Sequence, residues 1–84
     1  MTDNDRLEIL RKQINEVDDT LVHTLDERFA ICQEIGKIKK KLGMEVYVPS
    51  RESQVIQRLS DLEIHEGMVS AIWPTIMEYS RSLQ

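Results

Sequence analysis

Three cations stand where an apolar helix stripe should continue, and their type and spacing are the first sign of chemistry in this chain. Arg11 lies one turn from Leu7, Arg28 stands seven residues beyond Leu21, and Lys39 follows Ile35 by four and Cys32 by seven. Each one alone reads as a long side chain whose stem covers apolar surface while its head reaches water. Three on one side of a helix favour a shared duty. At 1.5 Å per residue, Arg28 and Lys39 are about 16 Å apart along the axis, close enough for two long side chains to meet at a common centre, whereas Arg11 is about 26 Å from Arg28. An antiparallel pair of chains brings Arg11 to the same cavity from the other subunit. Arg51, at the start of a second helix, adds a fourth cation where helix-terminal amides also favour an anion. This convergence predicts a small ligand with more than one carboxylate, held in two equivalent pockets per dimer.

Other chemistries lack their residues. His23, outward on a helix, and His65, at a joint, are too few for a metal site, and no acid, histidine and nucleophile set can be assembled around them. Cys32 lies on the apolar stripe as a small buried hydrophobe and has no partner for a disulfide. Trp73 and Tyr79 read as core or interface anchors. Asp18 sits beside the stripe, where pairing near Arg11 and a role in subunit contact both remain open.

The elements that must position these cations are helices. From Asp5 to Leu42 there is no proline and one glycine, Gly36, while Leu7, Leu10, Ile14, Val17, Leu21, Leu25, Phe29, Cys32 and Ile35 recur at three or four residues. The pattern predicts one helix of about 37 residues and about 55 Å, capped by Asp3 or Asp5 and closed by cations and a glycine at Lys39 to Gly43. Met44 to Pro49 is an extended connector. A second helix begins at Pro49 or Ser50, with Ser50 as cap, carries Val55, Ile56, Leu59 and Leu62 on its apolar face, and ends near Asp61 or Leu62. After a joint at Glu63 to Glu66, Met68, Val69, Ile72, Trp73, Ile76, Met77, Tyr79 and Leu83 describe a third helix of about 18 residues, bent at Pro74. The fold class expected is all-α, with long, short and medium helices in one domain spanning residues 1–84.

With 84 residues and a formal charge of −4 from 15 acidic and 11 basic side chains, there is room for one small domain. A compact monomer of this mass would bury only about 64% of its extended surface, which is marginal for a lone core. With no internal disulfide or metal to help, association is the remaining means, and the long stripe predicts an intertwined homodimer rather than a three-helix bundle closed on itself. No apolar stretch approaches a membrane span, and the acidic balance disfavours nucleic acid or an anionic bilayer as partner. An acidic, polar N-terminus without a secretory pattern and a single apolar cysteine lead to the expectation of a cytoplasmic protein.

Four segments, LEILRKQINEVD at Leu7 to Asp18, LDERFAICQEIGKIK at Leu25 to Lys39, VPSRESQVIQRL at Val48 to Leu59 and IMEYSRSLQ at Ile76 to Gln84, resemble the small all-helical chorismate mutases over almost the entire chain. The resemblance implies an intertwined dimer of three-helix chains that isomerises chorismate to prephenate in the shikimate pathway of aromatic amino acid biosynthesis, without cofactor or metal. Carried onto matching positions, it implies that Arg11 crosses the dimer to a substrate carboxylate and that Arg28 clamps the carboxylate of the enolpyruvyl side chain. Lys39 would bridge a carboxylate and the breaking ether oxygen, Gln84 would donate to that oxygen, and Glu52 would accept from the ring hydroxyl. Arg51 and Ser80 resemble supporting contacts, with Ser80 near the ring carboxylate.

Val48 departs from the pattern, because many members of the family carry an acidic residue there, close to the ring hydroxyl. Its apolar side chain leaves two substrates open, chorismate and the 4-amino-4-deoxychorismate that related enzymes rearrange. Isochorismate-pyruvate lyase shares the fold, and retention of Glu52 argues against it. A non-catalytic helical dimerisation module is the alternative from another class, with the cations solvated or paired to Glu8, Asp18, Glu27 and Glu34. Activation by a larger enzyme partner is not readable from this sequence.

Overall fold

The computed structural model describes all residues from Met1 to Gln84. The chain is all-α, with α1 at Asp3–Leu42, α2 at Pro49–Ser60 and α3 at Met68–Ser82. It divides into two compact units, Met1–Ala30 and Ile31–Gln84, described in turn.

The first unit is the N-terminal part of α1. Its start is fixed by a reciprocal pair: the Asp5 N–H donates to Thr2 Oγ1 at 3.2 Å, and the Thr2 N–H donates to Asp5 Oδ2 at 3.0 Å. Thr2 is therefore the cap in place of Asp3 or Asp5, and Asp5 serves as the acidic partner of a capping box. The Thr2 backbone N–H foremost, and the Thr2 hydroxyl after it, favour the ionised carboxylate and hold Asp5 below the usual range. Along this unit the apolar series stays in solvent: Ile14 is 59% and Val17 64% exposed, and Leu7, Leu10 and Leu21 are exposed with them.

The second unit holds the end of α1, α2 and α3. Helix α1 closes with Gly43 at φ 67°, its N–H donating to the Lys40 carbonyl while the Met44 N–H reaches back to that of Lys39. This paired closure uses the left-handed conformation that glycine adopts without strain. Pro49 occupies the first turn of α2, and the residue before it, Val48, is extended at φ −123° and is the N-cap. Ser50 lies inside the helix and caps nothing, because the proline moves the start of α2 forward by two positions. Leu62 follows the end of α2 and is 69% exposed, off the helical face expected for it.

Helix α3, of 15 residues rather than about 18, begins after Gly67, which lies at φ 83°. Its first turn has no cap from a neighbouring serine or aspartate. Instead Glu63 reaches forward, one oxygen accepting from the Gly67 N–H at 2.9 Å and the other from the Val69 N–H at 2.8 Å. The two backbone donors, Val69 foremost, hold this carboxyl below its usual range. Pro74 sits inside α3 and removes the N–H that would serve the Ser70 carbonyl. Helices α2 and α3 pack on each other, and the core of this unit contains Cys32, Gly36, Val69, Met77 and Ser80. Half-buried Val55, Ile56, Leu59, Trp73 and Ile76 surround it. The whole of this packing sits around the C-terminal end of the chain.

Candidate active site

In the second unit, the predicted residues gather around three junctions that the helices make. The first joins Lys39 to the connector. Lys39 is half-buried, and its Nζ donates to the Val46 carbonyl at 2.8 Å. An ammonium has three donors, so this bond fixes the position of the charge and leaves capacity for an anionic or ether oxygen. The bond forms because the glycine closure of α1 folds the connector back along the last turn.

The second junction joins the start of α2 to the end of α3. The Arg51 and Glu52 N–H groups both donate to the Val48 carbonyl, at 3.0 and 3.2 Å, so the extended Val48 closes the turn that carries Glu52. Glu52 meets Arg81, whose Nη1 lies 2.6 Å from each carboxylate oxygen. Arg81 is also stacked over the Tyr47 ring, 4.5 Å from its centroid. The carboxylate raises the already high pKa of the guanidinium chiefly through the hydrogen bond; burial opposes the rise, and the charge of Glu52 adds a lesser share to it. Arg81 is therefore a permanent cation between a carboxylate and an aromatic face.

The third junction seats the C-terminal residue. Gly36 is buried in α1, and a methyl group added to it would lie 2.8 Å from Gln84 Cα and 3.0 Å from Gln84 Cβ. Absence of a side chain at Gly36 thus allows Gln84 to lie directly on the helix. Gln84 Oε1 is buried without a hydrogen-bond partner. This is a polar atom removed from water and held in place by backbone packing, an arrangement that a hydrogen-bonding ligand would stabilise. A groove of about 390 Å³ opens beside it, lined by Gln33, Gly36, Lys37, Lys40, Leu83 and Gln84. Of the predicted residues only Gln84 lines that groove.

Ser80 is buried, with its Oγ donating to the Ile76 carbonyl one turn earlier at 2.8 Å, so its hydroxyl is oriented by α3 itself. Arg51 is exposed in the first turn of α2 and Val48 is half-buried. In the first unit, Arg11 is exposed and Arg28 half-buried on α1. A second, apolar groove of about 520 Å³ runs along Leu10, Gln13, Ile14, Val17 and Asp18 in that unit. The two histidines are exposed, Cys32 is buried, Trp73 is half-buried and Tyr79 exposed. No group of three or more histidine, cysteine or acidic residues is placed to hold a metal ion, and no helix is long and apolar enough to cross a membrane.

Sequence reasoning missed Arg81, Gly36, Tyr47 and the Val46 carbonyl. Arg81 had a signal, being the only lysine or arginine after Arg58, on a helix otherwise rich in apolar residues. Gly36 had one as well, as the one glycine inside a helix of 40 residues, where glycine is unfavourable unless something must approach closely.

The chain matches the family described as chorismate mutase type II over residues 10–84. A chorismate mutase of Methanocaldococcus jannaschii is 26% identical over 84 residues, covering 95% of this chain and 85% of that protein. A bifunctional chorismate mutase/prephenate dehydratase of Aquifex aeolicus is 29% identical over 70 residues, 83% of this chain but only 19% of its own length. An intracellular chorismate mutase of Mycolicibacterium smegmatis is 36% identical over 58 residues, covering 69% of this chain and 56% of that protein.

Proposed function

The chain belongs to the chorismate mutase type II family, and from that premise we propose that it is an isomerase that converts chorismate to prephenate, with residues 1–84 acting as one domain. The observation that carries the reading is the placement of Lys39 and Gln84. Lys39 is held by the Val46 carbonyl with ammonium donors left over, and Gln84 is seated on the bare surface of Gly36 with its amide oxygen unpaired. The family match runs across both compact units, which supports the single domain.

The reaction is an intramolecular rearrangement: the ether C–O bond breaks as a C–C bond forms, and the product is an isomer of the substrate. No proton, electron or added group is required. The protein's task is to hold a compact reactive conformer and to compensate the charge that builds on the ether oxygen. Lys39 and Gln84 contribute most as that oxygen becomes electron rich, which is binding of the transition state over the ground state. Arg11 and Arg28 fix the two carboxylates, Ser80 and Arg51 support them, and Glu52 accepts from the ring hydroxyl next to Val48. Lys39 and the arginines suit carboxylates because charge-assisted hydrogen bonds remain strong where water is excluded.

The active form is a homodimer in which Arg11 enters the partner's pocket. Support comes from the exposed stripe of Leu7, Leu10, Ile14, Val17 and Leu21 and its apolar groove, where each large side chain gains about 1.5–3 kcal/mol when fully buried. A single, buried cysteine, Cys32, fits a reducing cytoplasm. Ultraviolet monitoring of chorismate loss with mass identification of the product tests the reading. Prephenate supports it, pyruvate with an aromatic acid from isochorismate supports a lyase, and no turnover of either substrate refutes it.

A further inference from the structure

The Glu52–Arg81–Tyr47 cluster has a consequence for which substrate the site accepts, and the argument rests on the function proposed above. That reading sets Glu52 and Val48 against the substituent on the substrate ring. Val48 brings no charge, and its carbonyl accepts from the Glu52 N–H at the start of α2. Glu52 brings one negative charge, but both of its oxygens lie 2.6 Å from Arg81 Nη1, and the guanidinium is held from its other side by the Tyr47 ring. Contact comes from α3, so the cation belongs to the packing of α2 on α3 and not to a loose surface pair. Side-chain exposures of 30% for Arg81 and 24% for Glu52 leave the pair partly shielded from water, which weakens screening of its charges.

We propose that Arg81 is a specificity-determining residue that neutralises this corner of the pocket and so selects a ring hydroxyl over a ring ammonium. A hydroxyl needs only an acceptor, and the paired carboxylate retains lone pairs to accept from it. An ammonium gives up its water on entry and needs an uncompensated negative charge in return. Here the attraction of Glu52 is opposed by repulsion from Arg81, whose Nη1 lies 2.6 Å from the same carboxylate. The repulsive partner does the discriminating, and the apolar Val48 provides no second carboxylate to reverse it. The departure at Val48 and the presence of Arg81 therefore act in the same direction, toward chorismate and against its 4-amino-4-deoxy analogue.

The test is steady-state kcat/KM for chorismate and 4-amino-4-deoxychorismate on the full chain and on Arg81→Met and Arg81→Lys. The unmodified protein prefers chorismate by more than about tenfold, Arg81→Met lowers that preference by at least about tenfold, and Arg81→Lys, which keeps the charge, retains it. An unchanged ratio in Arg81→Met, or equal losses on both substrates, overturns the proposal. So does a preference of the unmodified protein for the amine. Glu52→Gln gives an arm independent of how Arg81 packs. With Arg81 uncompensated, kcat/KM for the amine must fall further than for chorismate, and a parallel fall contradicts the assignment. If the unmodified protein turns over neither substrate, the function itself is wrong and the specificity argument falls with it, a result distinct from turnover with an unaltered ratio.

Discussion

In the proposed rearrangement Lys39 is the side chain asked to do most, and its environment suits that role. The ammonium is anchored by one bond to the Val46 carbonyl and has two further donors in a half-buried position, so little is reorganised when the ether oxygen becomes negative. Lys39→Ala is expected to lower kcat by about 10²–10³-fold, the scale of a lost oxyanion donor, with a much smaller change in KM. A purely structural lysine would leave kcat per folded molecule unchanged, and steady-state kinetics on a variant shown to be folded separates the two. At this scale the sequence was informative where a charge broke an apolar period, as Arg11, Arg28 and Lys39 do. It marked Arg81 as an isolated cation but not its partner, Glu52, 29 positions away, because local periodicity does not say which helix faces meet.

The helix ends and one glycine decide whether the elements deliver their residues. Gly36 is the clearest case. Alanine there gains about 1 kcal/mol in helix propensity, yet its methyl would stand 2.8 Å from a backbone atom of Gln84, so the C-terminus must move. Gly36→Ala is expected to keep or raise helicity by circular dichroism while activity falls to the level of Gln84→Ala. The double variant should lose nothing further, since both changes remove the same contact. Glu63 makes the second element-scale prediction. Its folded pKa lies below the usual range because it accepts from Val69 and Gly67. Its contribution is therefore present above the unfolded value of about 4.3 and is lost as pH falls through the lower folded value. Thermal melts should show Glu63→Gln less stable than the unmodified chain at pH 7, with the difference shrinking toward pH 3. The three helices and the turn at Gly43 were legible because period, glycine and proline are local signals. The caps were not: Thr2, Val48 and Glu63 replace the expected Asp3 or Asp5 and Ser50, since capping depends on backbone geometry that composition leaves open by a residue or two.

For the whole molecule, the apolar series from Leu7 to Leu21 is exposed on the chain, and the proposed homodimer gives that surface to a second copy. The expectation of a partner rests on the length of the stripe and the single cysteine, and the exposure of that stripe supports it. The pairing itself was not legible, because one chain's sequence carries no record of which residues of its copy it meets. The central claim is that each pocket takes Arg11 from one protomer and Lys39 from the other. Reassociating equal amounts of Arg11→Ala and Lys39→Ala chains measures this directly. Random pairing yields mixed dimers with one intact pocket and one doubly defective pocket, so about a quarter of the unmodified activity per chain should return. Activity that stays at the level of the two separate variants after confirmed subunit exchange would contradict the account.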